Sequence, residues 1–185
     1  LVVYDIKARR AWRVLEDHDS VEAEDMHTVA RGIFIKAYGL PLQLAVDSIS
    51  LSADGDSLFY GPLSGGTLYR VPTATLRDPP EEPGDRVHAF GSKPITDGIV
   101  TDSRGNTYLT AVEHDAIAVL DSAGSLSLLV QNAELLCWPD GLALSPDERW
   151  LYVTCSQLHT VIGQDLDDLP KHAPYRILRI PLSAR

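Results

Sequence analysis

The chain has 185 residues, 44% hydrophobic and 23% charged, a composition that fits one globular domain and excludes a disordered tail or a fibrous chain. Sixteen basic against 26 acidic residues give a formal net charge of −10, a field that repels phosphate backbones and anionic lipid and favours cations or cationic ligands. No apolar run reaches the roughly 18 residues that span a bilayer, and the sequence opens at Leu1 with LVVYDI and no initiator Met. The expectation is a soluble chain read from a trimmed start, with no nucleic-acid or membrane partner; secreted and periplasmic placements stay open.

LVVYDIKARRAWRVL reads as two strands around a charged turn, so residues 1–17 are expected to be the outer pair of a blade. From Val46 the chain repeats itself. VDSISLSADGDSLFYG, TDGIVTDSRGNTYLTA from Thr96 and PDGLALSPDERWLYVTC from Pro139 each run acid, small residue, apolar strand, Asp-containing turn and a second strand rich in aromatics. The leading acids Asp47, Asp97 and Asp140 are 50 and 43 residues apart, the period of a four-stranded propeller blade. In the first unit, residues 41–91, TLYRVP follows, then one helical turn at Thr73–Arg77 stopped by Asp78-Pro79-Pro80, then a strand near Val87–Phe90. The second unit, 95–131, continues with AIAVLD and LSLLV around Ser122–Ser125. The third, 138–182, closes with YRILRIPL after an insertion, 156–174, some 16 residues longer than the equivalent loops. Thirteen strands make the fold all-β, a β-propeller of about three to three and a half four-stranded blades. Such an open ring is expected to self-associate, or to meet a missing N-terminal half, across its uncovered faces.

With strands A to D running outward from the axis, the start of A, the B-to-C loop and the D-to-A loop share one mouth. Asp47, Asp97 and Asp140 should therefore converge at one rim. Three like charges raise one another's pKa or are neutralised by a cation; a divalent metal ion, calcium or zinc, held by these three carboxylates is the expectation, with no organic cofactor. Each acid alone is equally a turn acid capping backbone N–H groups, the reading that holds for Asp54, Asp102 and Asp147 at the opposite A-to-B turns. Asp97 and Asp140 are the candidate catalytic bases, and His159, at the start of the insertion, is the best-placed histidine for proton transfer. The insertion, with Gly163 and Pro170, is expected to be a long loop acting as a lid; its acids Asp165, Asp167 and Asp168 read as a solvated stretch. Trp12 and Trp150 read as blade core, and Trp138, beside Pro139 and Asp140, is the aromatic positioned to touch a ligand. Cys137 and Cys155 lie at opposite ends of a predicted hairpin, where a bridge is geometrically feasible and two buried thiols are the plainer reading. No GxSxG, HExxH, P-loop or paired CxxC is present.

PLSGGTLYRVPTATLRD, TDGIVTD with NTYLT, and CWPDGLALSPD with LYVTCSQLH and PYRILRIPL resemble the bacterial members of the Yellow and royal-jelly protein family over nearly the whole chain. The resemblance implies the C-terminal half of a six-bladed β-propeller. A more distant similarity, to gluconolactonase and regucalcin propellers, aligns VDS, TDG and PDG with loops that hold a divalent metal there, although the N-terminal Glu ligand of that group lies outside this sequence. Ser156-Gln157-Leu158-His159 corresponds to NQLH of Yellow-like relatives. That match places Gln157 with Trp138 among the ligand-binding candidates, with serine departing from the pattern at the first position. Two functions follow: a metal-assisted hydrolase or isomerase of a lactone-like or cyclic small molecule, or a protein that binds a small amine without turnover.

Overall fold

The protein is described here by a computed structural model covering residues 1–162 and 174–182. Strands β1 (Val2–Asp5) and β2 (Arg10–Arg13) form an antiparallel hairpin. After a linking segment come β7 (Val46–Leu51), β8 (Ser57–Pro62), β9 (Thr67–Pro72), the single turn α1 (Thr73–Arg77) and β10 (His88–Ser92), with the four strands paired in sequence order. The next sheet holds β11 (Ile99–Thr101), β12 (Thr107–Ala111), β13 (Ala116–Leu120) and β14 (Leu126–Gln131), again in order. The last is three-stranded: β15 (Pro139–Leu144), β16 (Trp150–Cys155) and β17 (Arg176–Pro181). The protein is thus all-β, and β7, β11 and β15 lie side by side as the innermost strands of an unclosed propeller.

Burial follows each blade's place in the stack. Phe59 and Leu68 of the first blade interdigitate with Ile99, Leu109, Ala118 and Leu120 of the second. Tyr108, Ile117 and Val119 on the second blade's other face meet Leu151, Val153 and Cys155 of the third. Sandwiched on both sides, β12 and β13 are buried at every residue, whereas β17 alternates between half-buried and exposed. On the outward face of the third blade Ile177 is 76% and Tyr152 38% exposed among the described residues. On the other side Leu58, Tyr60 and Val71 pack with Val14, Leu15 and the partly buried Trp12 of the N-terminal hairpin.

The A-to-B turns behave as turns. Asp54 accepts from Asp56 N and Ser52 Oγ, Asp102 from Arg104 N and Asn106 N, and Asp147 from Arg149 N and Ser145 Oγ. Gly55 and Gly105 supply the left-handed residue of these turns, at φ 74° and 84°; in the third blade Glu148 takes that conformation at φ 53°. Its carboxylate accepts from Ser103 N and Ser103 Oγ, tying the second and third blades together at that end.

Residues between Val14 and Val46 form an element that alternation does not reveal. Two tiny hairpins, β3 (Val29–Ala30) with β4 (Ile33–Phe34) and β5 (Lys36–Ala37) with β6 (Leu40–Pro41), turn at Arg31-Gly32 and Tyr38-Gly39, all four with positive φ. Backbone bonds from Thr28 N to Leu42 O, Ile35 N to Thr28 O and Leu42 N to Ile35 O bind the hairpins into one cap. Its Ala30 and Ile35 are buried against Leu63, Ile95, Val112 and Trp138, with Leu158 packed alongside. Leu63, Val112 and Leu158 follow the second strands of the three blades, and Ile95 and Trp138 precede innermost strands, so the cap lies on the mouth where the leading acids stand. The expected lid, by contrast, falls mostly outside the described residues, along with Gly163, Asp165, Asp167, Asp168 and Pro170. No helix among the described residues is long and apolar enough to cross a membrane.

Candidate functional site

Each innermost strand opens with its acid at the rim beneath the cap. In the second blade Thr110, directly after Leu109 on β12, turns its hydroxyl to accept from both Asp97 N and Gly98 N, at 2.9 and 3.1 Å. Thr154 does the same for Gly141 N at 2.8 Å in the third. These bonds fix the backbone that carries Asp97 and Asp140. Gly98 lets the two inner strands touch, since a Cβ there would run into the Asp140 carbonyl oxygen and lie within 3.2 Å of Gly141 Cα.

The three carboxylates act on one another. Burial pushes Asp97 up to about 7; the Trp138 indole works against this, and the charges of Asp140 and Asp47 add to it. Asp47 is raised as well, by partial burial of its carboxyl, although the neighbouring Asp97 carboxyl favours its ionised form. Burial and the neighbouring acids thus hold both carboxyls above the ordinary carboxylate range, as expected where carboxylates meet in a partly dry site. Trp138 Nε1 donates to Asp97 Oδ2 at 2.7 Å.

Trp138 is 1% exposed and held at φ 50°. It is core, and it touches the site through its indole N–H. His159 lies behind it in a single 3-10 turn, Leu158–Thr160, with its ring stacked on the indole at 6.0 Å and 5°. Its Nε2 is 3.7 Å from Cys137 Sγ. The structure thus brings Asp47, Asp97, Asp140 and Trp138 together and sets His159 one layer away, against a thiol. Gln157, in the left-handed region, donates from Nε2 to the Pro174 carbonyl at 3.2 Å and so joins the two ends of the insertion. Cys137 and Cys155 are both buried and unbridged, and burial pushes both thiols up, Cys155 to about 11.

Two features escape the sequence pattern. Lys93, 5% exposed, donates from Nζ to the Gly65 carbonyl at 2.7 Å and to the Pro94 carbonyl at 3.3 Å. Burial lowers it to about 8 against the opposing charges of Glu24, Glu113 and Asp47. Second, a cleft of about 520 Å³ opens beside Asp140, lined also by Thr154, Cys155, Ser156, Tyr175, Arg176 and Ile177.

The expected metal can be tested on this geometry. The donors are hard oxygens, the right chemistry for a divalent cation. Yet one oxygen of Asp97 is taken by the Trp138 indole at 2.7 Å. Among the described residues no group of three His, Cys, Asp or Glu side chains is arranged to hold a metal ion. The three acids as arranged do not fit a metal centre.

The family model described as major royal jelly protein matches residues 1–184. None of the curated proteins matches the sequence. Among solved structures, the calcium-binding protein regucalcin from Agrobacterium tumefaciens strain C58 is 20% identical with a TM-score of 0.50, over 76% of this chain and 49% of that one. A luciferin-regenerating enzyme is 14% identical with a TM-score of 0.53, over 81% and 50%. A gluconolactonase from Xanthomonas campestris is 19% identical with a TM-score of 0.48, over 63% and 38%. The chain spans about half the length of the first two structures, whose likeness is one of fold.

Proposed function

The chain belongs to the major royal jelly protein family, and on that footing we propose that its acid-rimmed mouth binds a small organic amine. The observation that carries this reading is the cleft of about 520 Å³ whose lining includes Asp140 and Tyr175. A carboxylate recognises an ammonium directly, an aromatic face adds cation–π attraction, and a cavity of this size suits a small molecule. Arg176 lines the same cleft and has no hydrogen-bond or carboxylate partner among the described residues, so it can take an oxygen function at the ligand's other end. Asp47 and Asp97 reinforce the negative field that draws the amine in. The probe is tyramine against its neutral counterpart 4-ethylphenol, followed by calorimetry. Tyramine is expected to bind and 4-ethylphenol not, with Asp140→Asn abolishing the difference; equal binding of both, or binding indifferent to Asp140→Asn, rejects the reading.

A second reading rests on Asp97, a carboxyl that burial and the neighbouring acids Asp140 and Asp47 push up to about 7. A carboxylic group held near neutrality can take a proton from water attacking a lactone carbonyl and deliver it to the departing ring oxygen. Gluconolactone turnover in the presence of a chelator, lost in Asp97→Asn, would support this chemistry; no turnover leaves the binding reading alone.

A further inference from the structure

We propose that Lys93 is the resident cation of the acidic rim and takes the place a divalent metal would otherwise hold. The reasoning starts from a break in the repeat. In the second and third blades a threonine, Thr110 or Thr154, follows the middle of the second strand and caps the backbone beside the leading acid. In the first blade the residue paired with Ser48, next to Asp47, is Gly61. A Cβ at Gly61 would lie 2.9 Å from Lys93 Cε and 2.9 Å from the Thr67 carbonyl oxygen. The missing side chain is therefore the room through which the lysine passes. That passage brings Lys93 from the loop after β10 into the buried layer under the cap, where two carbonyls hold its ammonium.

The acids around it come from three different parts of the chain. Glu24 belongs to the stretch leading into the cap and accepts from Gly66 N at 2.9 Å through Oε2, while its Oε1 is buried without a hydrogen-bond partner. Glu113 follows the second strand of the second blade and accepts from Ile95 N at 3.2 Å. Asp47 opens the first blade. A buried charge is costly unless hydrogen-bonded and compensated; two carbonyls supply the hydrogen bonds of Lys93, and Glu24, Glu113 and Asp47 supply the opposing charge without forming a direct ion pair with it. An ion entering the rim would meet the field of this buried ammonium, a repulsion that works against binding. Lys93 thereby selects against inorganic dications and leaves Asp140, the acid facing the cleft, for an organic ligand. The inference goes beyond the amine reading and does not depend on it, since its test uses calcium alone.

The test is calorimetric titration of the 185-residue chain with calcium chloride. The wild type is expected to show no saturable site at millimolar calcium. Lys93→Gln is expected to bind calcium at least about tenfold more tightly than the wild type, and Asp97→Asn added to it to remove the gain. Gly61→Thr, which restores the residue of the other two blades and displaces the lysine chain, should reproduce the gain if Lys93→Gln does not fold. Stoichiometric calcium binding by the wild type that is lost in Asp97→Asn overturns the proposal. So does a folded Lys93→Gln that binds calcium no better than the wild type. Where neither variant folds, the wild-type titration decides.

Discussion

Gly98→Ala isolates the contact that sets the acidic rim. Gly98 does not occupy the left-handed region, so alanine is permitted by its backbone and brings a gain of about 0.4–1 kcal/mol through the unfolded chain. Against this, the new methyl meets only backbone: the Asp140 carbonyl oxygen well inside contact distance, its carbon at 3.1 Å and Gly141 Cα at 3.2 Å. No side chain can rotate away, so β11 and β15 must part by on the order of 1 Å, and overpacking of this kind costs about 1–3 kcal/mol or more. The net expectation is a loss of about 1–2 kcal/mol, read as a fall of about 1 M in the urea midpoint at an unchanged slope of about 1–2 kcal/mol/M. Gly55→Ala is the control. It has nothing within 4 Å and φ 74°, so it should lose only the left-handed strain of about 1 kcal/mol and leave the rim untouched. If Gly98→Ala unfolds at or above the wild-type midpoint, the inner strands do not touch as described, and Asp97 and Asp140 are not neighbours.

Arg31 latches the cap by donating to Asp115 Oδ2 at 3.1 Å and to the Ala133 carbonyl at 2.6 Å; Arg31→Met leaves the buried Asp115 uncompensated and should cost about 2–3 kcal/mol, with a red shift of Trp138 fluorescence as the cap loosens. The exposed face carrying Ile177 and Tyr152 should make the 185-residue chain self-associate in light scattering, and a well-behaved 20.2 kDa monomer would refute that expectation. Asp97 titrates near 7 in the folded protein against an ordinary 3.8. The stability of its protonated form is therefore present below about pH 4 and lost as pH rises to about 7, at a slope near 1.4 kcal/mol per pH unit for one proton. Asp47 is raised and acts in the same direction. Urea unfolding across this range should show the decline, and Asp97→Asn should flatten it.

The blades were legible because each repeat carries its own signals: an acid before a short apolar strand, an Asp turn, an aromatic-rich partner strand. The convergence of Asp47, Asp97 and Asp140 followed from equivalence of position, which needs no tertiary detail. The cap was not legible, because strands of two residues show no alternation; only the Arg31-Gly32 and Tyr38-Gly39 dipeptides marked its turns. Lys93 was hidden for a different reason. Its role depends on empty space at Gly61, a contact between separate strands, and a glycine in a strand says only that some backbone or chain approaches closely. The three carboxylates could be counted from the repeat, while the Trp138 indole on Asp97 depends on a tertiary contact that spacing does not show. His159 stood in the loop where it was expected, yet its ring is spent stacking on Trp138.

The central claim is that three repeat-related acids meet at one capped rim, where Asp97 is pushed up to about 7 and reports its protonation to Trp138. The indole Nε1–H resonance of Trp138 measures this directly, because its acceptor is Asp97 Oδ2. A pH titration followed by ¹⁵N–¹H correlation should move that resonance with a midpoint at about 7, and the movement should vanish in Asp97→Asn. An indole resonance that stays fixed through neutrality in the folded wild type would contradict the account.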